Sequence, residues 1–219
     1  MINPNLSTKA DKAYYSRERN WPAKFFIKKN SRVLDIGCGR GLLGEFLKNE
    51  YYCHVTGLEI IQENALVAES VLDKVMVGDI ENMIIDELKE SFDYIIFSDS
   101  LEHLLDPGKV LLRIGSLLKP DSGELLISVP NVRNFRVTIP LILRDEWRYT
   151  DEGLLDKTHL RFFTLKSIKR LLEESGFIVK KTFYDLPISS KSGVINRLTL
   201  GLLSNHLTSH YFLQSCKRK

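Results

Sequence analysis

The sequence predicts an α/β fold built on a largely parallel sheet. Three observations carry this: short β-rich runs alternate with helical patterns, the central run Tyr94-Ile95-Ile96-Phe97 is apolar on both faces, and a glycine-rich turn joins the first run to the first helix. The 219 residues, 43% of them hydrophobic, are enough to bury one substantial core, so residues 1–219 are expected to form a single domain.

Taken in order, residues 1–30 read as a helical N-terminal cover. Strands are expected at Arg32–Ile36, His54–Glu59, Lys74–Val77, Tyr94–Ser98, Glu124–Val129 and Phe177–Phe183, with a weaker alternating run at His210–Ser215 as a closing strand. Helices are expected at Leu42–Lys48, Gln62–Leu72, Asn82–Leu88, Gly108–Leu118 and Leu165–Glu174. Asp106-Pro107 opens the fourth of these, Thr164 caps the fifth and Gly176 stops it. Val194–Leu207 reads as a packed amphipathic helix, with attachment to a membrane surface as the lesser alternative. Residues 131–163 resist the rhythm. A long insertion at a strand's carboxyl end usually serves binding, so this one is expected to be a substrate lid.

Charge and cysteine usage exclude several classes. Thirty-one basic against 28 acidic residues leave a net charge of +3, too little to grip nucleic acid, and no basic stripe laced with aromatics appears. Cys38, Cys53 and Cys216 are odd in number and lack CxxC spacing, which argues against a disulfide framework or a zinc knuckle. With no apolar secretion signal in the first ten residues and no run of membrane-spanning length, the expected location is the cytoplasm, with no transmembrane segment.

The chemistry is concentrated at the turn Asp35-Ile36-Gly37-Cys38-Gly39-Arg40-Gly41. Glycines at alternate positions permit a tight turn and let a ligand lie against backbone N–H groups. A dinucleotide fingerprint would place a third glycine at position 42, where leucine stands. Asp35 would repel a pyrophosphate and attract a ligand carrying an ammonium group, so a cationic ligand fits better than NAD. Glu59, at the end of the second strand, is placed to accept from both hydroxyls of a ribose, and Asp79 from an adenine amino group with Ile80 packed on the ring.

With Gly78-Asp79 and Ser100-Leu101-Glu102-His103, these motifs resemble the class I S-adenosylmethionine-dependent methyltransferases over residues 31–184. The resemblance implies a Rossmann-like three-layer sandwich whose seven-stranded, mostly parallel sheet has an antiparallel last strand. It implies S-adenosylmethionine as cofactor and S-adenosylhomocysteine as product. The expected cofactor set is Asp35, Gly37, Cys38, Gly39, Gly41, Glu59, Ile60, Asp79, Ile80 and Ser98.

Methyl transfer from a sulfonium mainly requires alignment, and a base only when the acceptor is a poorly acidic hydroxyl. His103, in a Glu-His followed by Asp-Pro segment similar to that of the ubiquinone-pathway O-methyltransferases, is one candidate base. His159 is the other. It lies in Leu155-Asp156-Lys157-Thr158-His159-Leu160-Arg161-Phe162-Phe163-Thr164, which with Val129-Pro130-Asn131-Val132-Arg133 resembles a glycosyltransferase-associated branch of the superfamily. Each histidine also has a structural reading, as an orienting or internally satisfied side chain. A divalent metal on Asp99, Glu102 and His103 is the weaker reading, because aspartate at 99 is shorter than the glutamate expected there, and no metal is predicted. Asn131, Arg133, Trp147, Tyr149 and Arg161 are the candidate acceptor pocket, suited to sugars, phosphates or carboxylates. The expected reaction is O-methylation of a small molecule such as a sugar, a sugar-linked metabolite or a phenol, without nucleic acid as partner. A nicotinamide-dependent oxidoreductase and a non-catalytic cofactor-binding regulator are the alternatives.

Overall fold

A computed structural model describes residues 26–84, 91–186 and 190–218. Seven strands, β1 (Arg32–Ile36), β2 (His54–Glu59), β3 (Lys74–Val77), β4 (Tyr94–Ser98), β5 (Glu124–Pro130), β6 (Phe177–Tyr184) and β7 (His210–Lys217), form a sheet in the order β3-β2-β1-β4-β5-β7-β6. The closing strand expected at His210–Ser215 is present, extends to Lys217, and runs antiparallel to both β5 and β6. The chain divides after Ser98 into two compact units.

In the first unit β1 pairs in parallel with β2 and β4, and β2 with β3. Parallel neighbours require crossovers, which α1 (Leu42–Tyr51) and α2 (Gln62–Ala68) supply. Val33, Leu34, Val55, Ile95, Ile96 and Phe97 are wholly buried, as both-face apolar strands must be. α2 is shorter than its apolar pattern suggested. Residues 69–73 turn instead, and Asp73 accepts from the Val55 amide at 2.7 Å and pairs with Lys48 at 3.0 Å.

The helix expected at Asn82–Leu88 does not begin where predicted. Asp79 accepts from the Glu81 amide and the Asn82 side chain, and this local bonding competes with a helical start and leaves residues 82 and 83 as turn and bend. The rest of that helix lies outside the described residues. So do residues 1–25 of the expected N-terminal cover, while 26–30 hold turns and no helix.

The second unit begins with a 3₁₀ turn, Leu101–His103, followed by α3 (Pro107–Ile114) and a second 3₁₀ turn, Gly115–Leu117. Asp106 caps α3 by accepting from the Lys109 amide at 3.0 Å, as its Asp-Pro sequence predicts. α4 (Phe135–Arg144) lies within the insertion, and α5 (Leu165–Glu174) follows it, closed by a Thr164–Ser167 capping box and by Gly176 at φ 82°. The insertion is a closed loop: Asn131 and Phe163 form a bridge, and the Val132 amide donates to the Phe163 carbonyl at 3.1 Å.

The single packed helix expected over Val194–Leu207 is two helices, α6 (Lys191–Leu198) and α7 (Ser204–Leu207). Leu200 and Gly201 both take left-handed backbone conformations, which breaks the hydrogen-bond ladder between them, and Leu198, Leu200 and Leu202 are exposed instead of packed. Among the described residues no helix is long and apolar enough to cross a membrane.

Candidate functional site

The candidate residues follow the carboxyl ends of strands, the position at which open α/β sheets bind ligands. After β1, Gly37, Gly39 and Gly41 have φ of 75°, 55° and 82°. Gly41 caps α1 in the left-handed conformation, and a Cβ there would lie 2.8 Å from Val71 Cγ2 and 3.3 Å from the Ala68 backbone. Its glycine is therefore required by packing against α2 as much as by any ligand.

Glu59 holds this turn in shape. One carboxylate oxygen accepts from the Gly39 amide at 2.8 Å and the other from the Ile61 amide at 2.9 Å, within a largely buried side chain. The Gly37 and Cys38 amides both donate to the Leu58 carbonyl. The sequence suggested a ribose partner for Glu59. The geometry adds a role that precedes any ligand: the carboxylate joins the end of β2 to the glycine turn, and each oxygen keeps a second lone pair.

Asp35 is buried at the end of β1 beside Glu59 and Cys38. Burial, reinforced by the Asp35 and Glu59 carboxylates, pushes the Cys38 thiol well above its ordinary range. The thiol is therefore uncharged. Its side chain packs toward β2, where a Cβ on Gly57 would come within 2.6 Å of the sulfur, so Cys38 offers the turn its backbone. Ile80 and Ser98 are buried, whereas Ile60 is exposed. Asp79 is occupied in its local turn through both oxygens, to Glu81 at 2.9 Å and Asn82 at 2.7 Å.

In the second unit the structure brings together two histidines 56 positions apart in the chain. His103 and His159 meet edge-on with ring centroids 4.9 Å apart. The end of the insertion is clamped onto the 3₁₀ turn: the Leu160 and Arg161 amides donate to the Glu102 carbonyl at 2.9 and 3.0 Å, and the Arg161 guanidinium reaches the Leu105 and Leu160 carbonyls. Asp156 shapes the approach by accepting from the Thr158 amide and hydroxyl, both at 2.7 Å.

The two rings differ in chemistry. His159 is buried, and desolvation followed by repulsion from His103 pushes its pKa down to about 4. Glu102 lies 3.9 Å from its Nε2, but an ion pair would need a protonated ring, which burial disfavours. His103 is less buried, and its Nδ1 lies 3.1 Å from the Thr158 carbonyl oxygen. A carbonyl only accepts, so Nδ1 carries the hydrogen and Nε2 the lone pair of the neutral ring. The ligand atoms of Glu102, His103 and His159 lie within 4.8 Å of one another, so His159 stands where the sequence reading of a metal trio had Asp99.

The expected pocket residues separate into groups. Asn131 is fully buried, with its side-chain NH₂ donating to the Asn205 and Thr208 carbonyls at 2.9 Å and its oxygen accepting from the Arg133 amide at 2.8 Å. Its side chain thus ties the insertion to α7 and to Thr208 just after it. Arg133 lies 3.2 Å from His206. Trp147 and Tyr149 gather around Phe162, at 5.2 and 6.2 Å, and Phe162 in turn lies 6.3 Å from His159. Tyr149 also borders an open groove of about 470 Å³ with Arg148, Thr150, Asp151 and Lys157.

Sequence reasoning missed one arrangement. Asp99, at φ 50°, receives a 2.6 Å hydrogen bond from the Ser128 hydroxyl and lies 3.8 Å from His210 Nε2; His210 Nδ1 lies 3.1 Å from Ser209, whose hydroxyl donates to Asp185 at 2.8 Å. Only the pairing of β7 against the end of β5, which sets His210 opposite Pro130, brings these residues together.

Known proteins fit this geometry. A family model described as a methyltransferase domain matches residues 12–182. The chain belongs to the methyltransferase-domain family. A ubiquinone biosynthesis O-methyltransferase of Aeromonas salmonicida is 31% identical over 156 residues, 68% of this chain and 63% of that protein. The enzyme of the same description from Neisseria meningitidis is 26% identical over 162 residues, 70% and 66% respectively. This chain thus aligns with a little under two thirds of those relatives' length. A SAM-dependent methyltransferase from Archaeoglobus fulgidus, with 24% identity, superposes with a TM-score of 0.64 over 94% of both chains and shows the fold.

The first unit of this methyltransferase domain also fits S-adenosylmethionine chemically. The turn opens through left-handed glycines, and two buried carboxylates, Asp35 and Glu59, lie beside it where a cationic ligand would be attracted.

Proposed function

We propose that this chain methylates a hydroxyl of a small molecule using S-adenosylmethionine, with a sugar or sugar-linked metabolite as the first acceptor class and a quinone-like phenol as the second. The observation that carries the reading is the glycine turn held by Glu59 beside buried Asp35. The relatives named as O-methyltransferases support oxygen as the accepting atom, and the aromatic group around Phe162 suits a sugar ring. We read residues 1–219 as one such domain acting in the cytoplasm, with 131–163 as its lid and no nucleic acid as partner.

Bound S-adenosylmethionine supplies an electrophilic methyl group on a sulfonium. Asp35 and the turn amides would hold its methionine part, the remaining lone pairs of Glu59 would accept from ribose hydroxyls, and Ile60, Asp79, Ile80 and Ser98 would border the nucleoside. The methyl group would pass from the sulfonium to the acceptor oxygen, and His103 Nε2 would take the hydroxyl proton. His103 is preferred as base because its tautomer is set by Thr158. His159, with a pKa near 4, is too weak a base at neutral pH and serves as its uncharged neighbour. Asn131 and Arg161 position the insertion, and Trp147, Tyr149 and Arg133 are the acceptor contacts.

The decisive test is calorimetric titration followed by assay with sugar and phenol acceptors. S-adenosylhomocysteine should bind and NADH should not; the opposite result would sink the reading. Tight binding with no transfer to any acceptor would make the chain a regulator. His103→Gln should lower kcat roughly 100-fold and remove the basic dependence on His103 from the pH profile, with KM for the cofactor unchanged.

A further inference from the structure

The polar cluster around Asp99 and His210 has no part in the proton transfer described above. Its two central side chains are 13% and 29% exposed, so a ligand can reach both. Asp99 takes φ 50°, an uncommon conformation outside glycine that folds tend to retain at binding sites. Two bonds hold it there. Its amide donates to the Ser128 hydroxyl at 3.0 Å, and that hydroxyl spends its own hydrogen on Asp99 Oδ1 at 2.6 Å.

The bonding around His210 fixes its tautomer. The Ser209 hydroxyl has one hydrogen and donates it to Asp185 at 2.8 Å, so toward His210 Nδ1, 3.1 Å away, it can only accept. Nδ1 therefore carries the hydrogen, and in the neutral ring Nε2 keeps its lone pair. Asp185 is itself held, its amide donating to the Thr208 hydroxyl at 2.8 Å. His210 Nε2 lies 3.8 Å from Asp99 Oδ1, so two acceptor atoms converge, and one of them belongs to a carboxylate. Such a pair complements a group that brings hydrogens to both. A hydroxyl brings one and serves one partner. A primary ammonium brings three and a positive charge, so it serves both and pairs with the carboxylate. The field of Asp99 also reaches His159, which sets this pair near the two histidines described above.

We propose that Asp99 and His210 bind a primary ammonium group of the methyl acceptor, which makes that acceptor an amino sugar. One ammonium hydrogen goes to Asp99 Oδ1 and another to His210 Nε2, and a phenol without an amine leaves the pair unserved. The choice of a sugar rests on the methyl-transfer reading; the ammonium subsite rests on the geometry alone.

Nuclear magnetic resonance of the full chain at neutral pH tests it, with glucosamine and glucose as probes. The histidine ring-nitrogen signals should show His210 protonated at Nδ1 and bare at Nε2, and glucosamine, but not glucose, should shift Nε2. Asp99→Asn, which keeps a residue suited to left-handed backbone, should weaken glucosamine binding at least roughly tenfold. His210→Phe should weaken it roughly fivefold. Ser209→Ala acts only through the ring: it should release the tautomer in the same signals and weaken glucosamine by a smaller factor. The spectra of the unaltered chain decide the matter even if a variant fails to fold. A doubly protonated His210 in the free protein, no response to glucosamine, an equal response to glucose, or undiminished binding in a folded Asp99→Asn overturns the proposal. Calorimetry with S-adenosylhomocysteine separates the two readings. Glucosamine bound without that ligand keeps the subsite and sinks methyl transfer; the reverse keeps methyl transfer and sinks the subsite.

Discussion

In the first unit Glu59 reaches the glycine turn across 20 residues, within one strand-helix-strand crossover; in the second, His103 reaches the Thr158 carbonyl across 55 residues, through an insertion clamped at its end by Leu160 and Arg161. The turn is thus held by elements adjacent in sequence and by a buried carboxylate whose removal leaves amides unpaired. The histidine pair depends on loop closure at Asn131 and Phe163 and on backbone bonds to the Glu102 carbonyl. Local assembly makes the first region resistant to change elsewhere, while the second should respond to mutations far from its own rings.

The sharpest break in this comparison is Glu59→Ala. It removes the anchors of Gly39 and Ile61 together with the proposed ribose acceptor, so S-adenosylhomocysteine affinity should fall by at least roughly 100-fold in calorimetry. Glu59→Gln, which can accept one of the two amide bonds, should fall between the two.

Next comes the acid response of the second region. His159 has its pKa lowered from 6.5 to about 4 in the folded chain, so the unfolded chain binds the extra proton first. The group contributes no pH dependence above the unfolded value. As pH falls from 6.5 toward 4 it destabilises the fold progressively, reaching roughly 3 kcal/mol below both values. His159→Gln should flatten that part of the stability profile in urea unfolding at pH 7.5 and pH about 4.5; an unaltered slope would place the acid sensitivity elsewhere.

Asn131→Ala should cost roughly 2 kcal/mol in chemical denaturation, because the Asn205 carbonyl and the Arg133 amide lose its side-chain bonds and the buried Thr208 carbonyl keeps only its bond from Asn134. It should also lower turnover more than cofactor affinity if the insertion serves the acceptor. At the small end, Lys157→Ala removes a fully exposed pair with Asp151, and its melting temperature should match the parent's.

How much was legible in the sequence follows the same division. The strands of the first unit, the caps at Asp106 and Thr164, and the turn from Asp35 to Gly41 were readable because each signal and its structural consequence lie within a few residues. α2 ended early, where Asp73 is tied to the Val55 amide and Lys48, and the helix expected at Asn82 did not start as predicted, since Asp79 drew Glu81 and Asn82 into a turn. The helix over Val194–Leu207 looked continuous because apolar periodicity does not reveal a left-handed break at Leu200. Asp99 and His210 gave no joint signal, being 111 positions apart.

The sequence by itself determined the α/β class, the acid-flanked glycine turn and the strand ends from which candidate groups arise, because periodicity and backbone freedom are local properties. Only the tertiary structure decided that Glu59 braces the turn, that His159 lies buried against His103, and that Asn131 is spent on the fold. Those outcomes depend on desolvation and on which carbonyls long-range packing brings within reach, and neither is written in residue order.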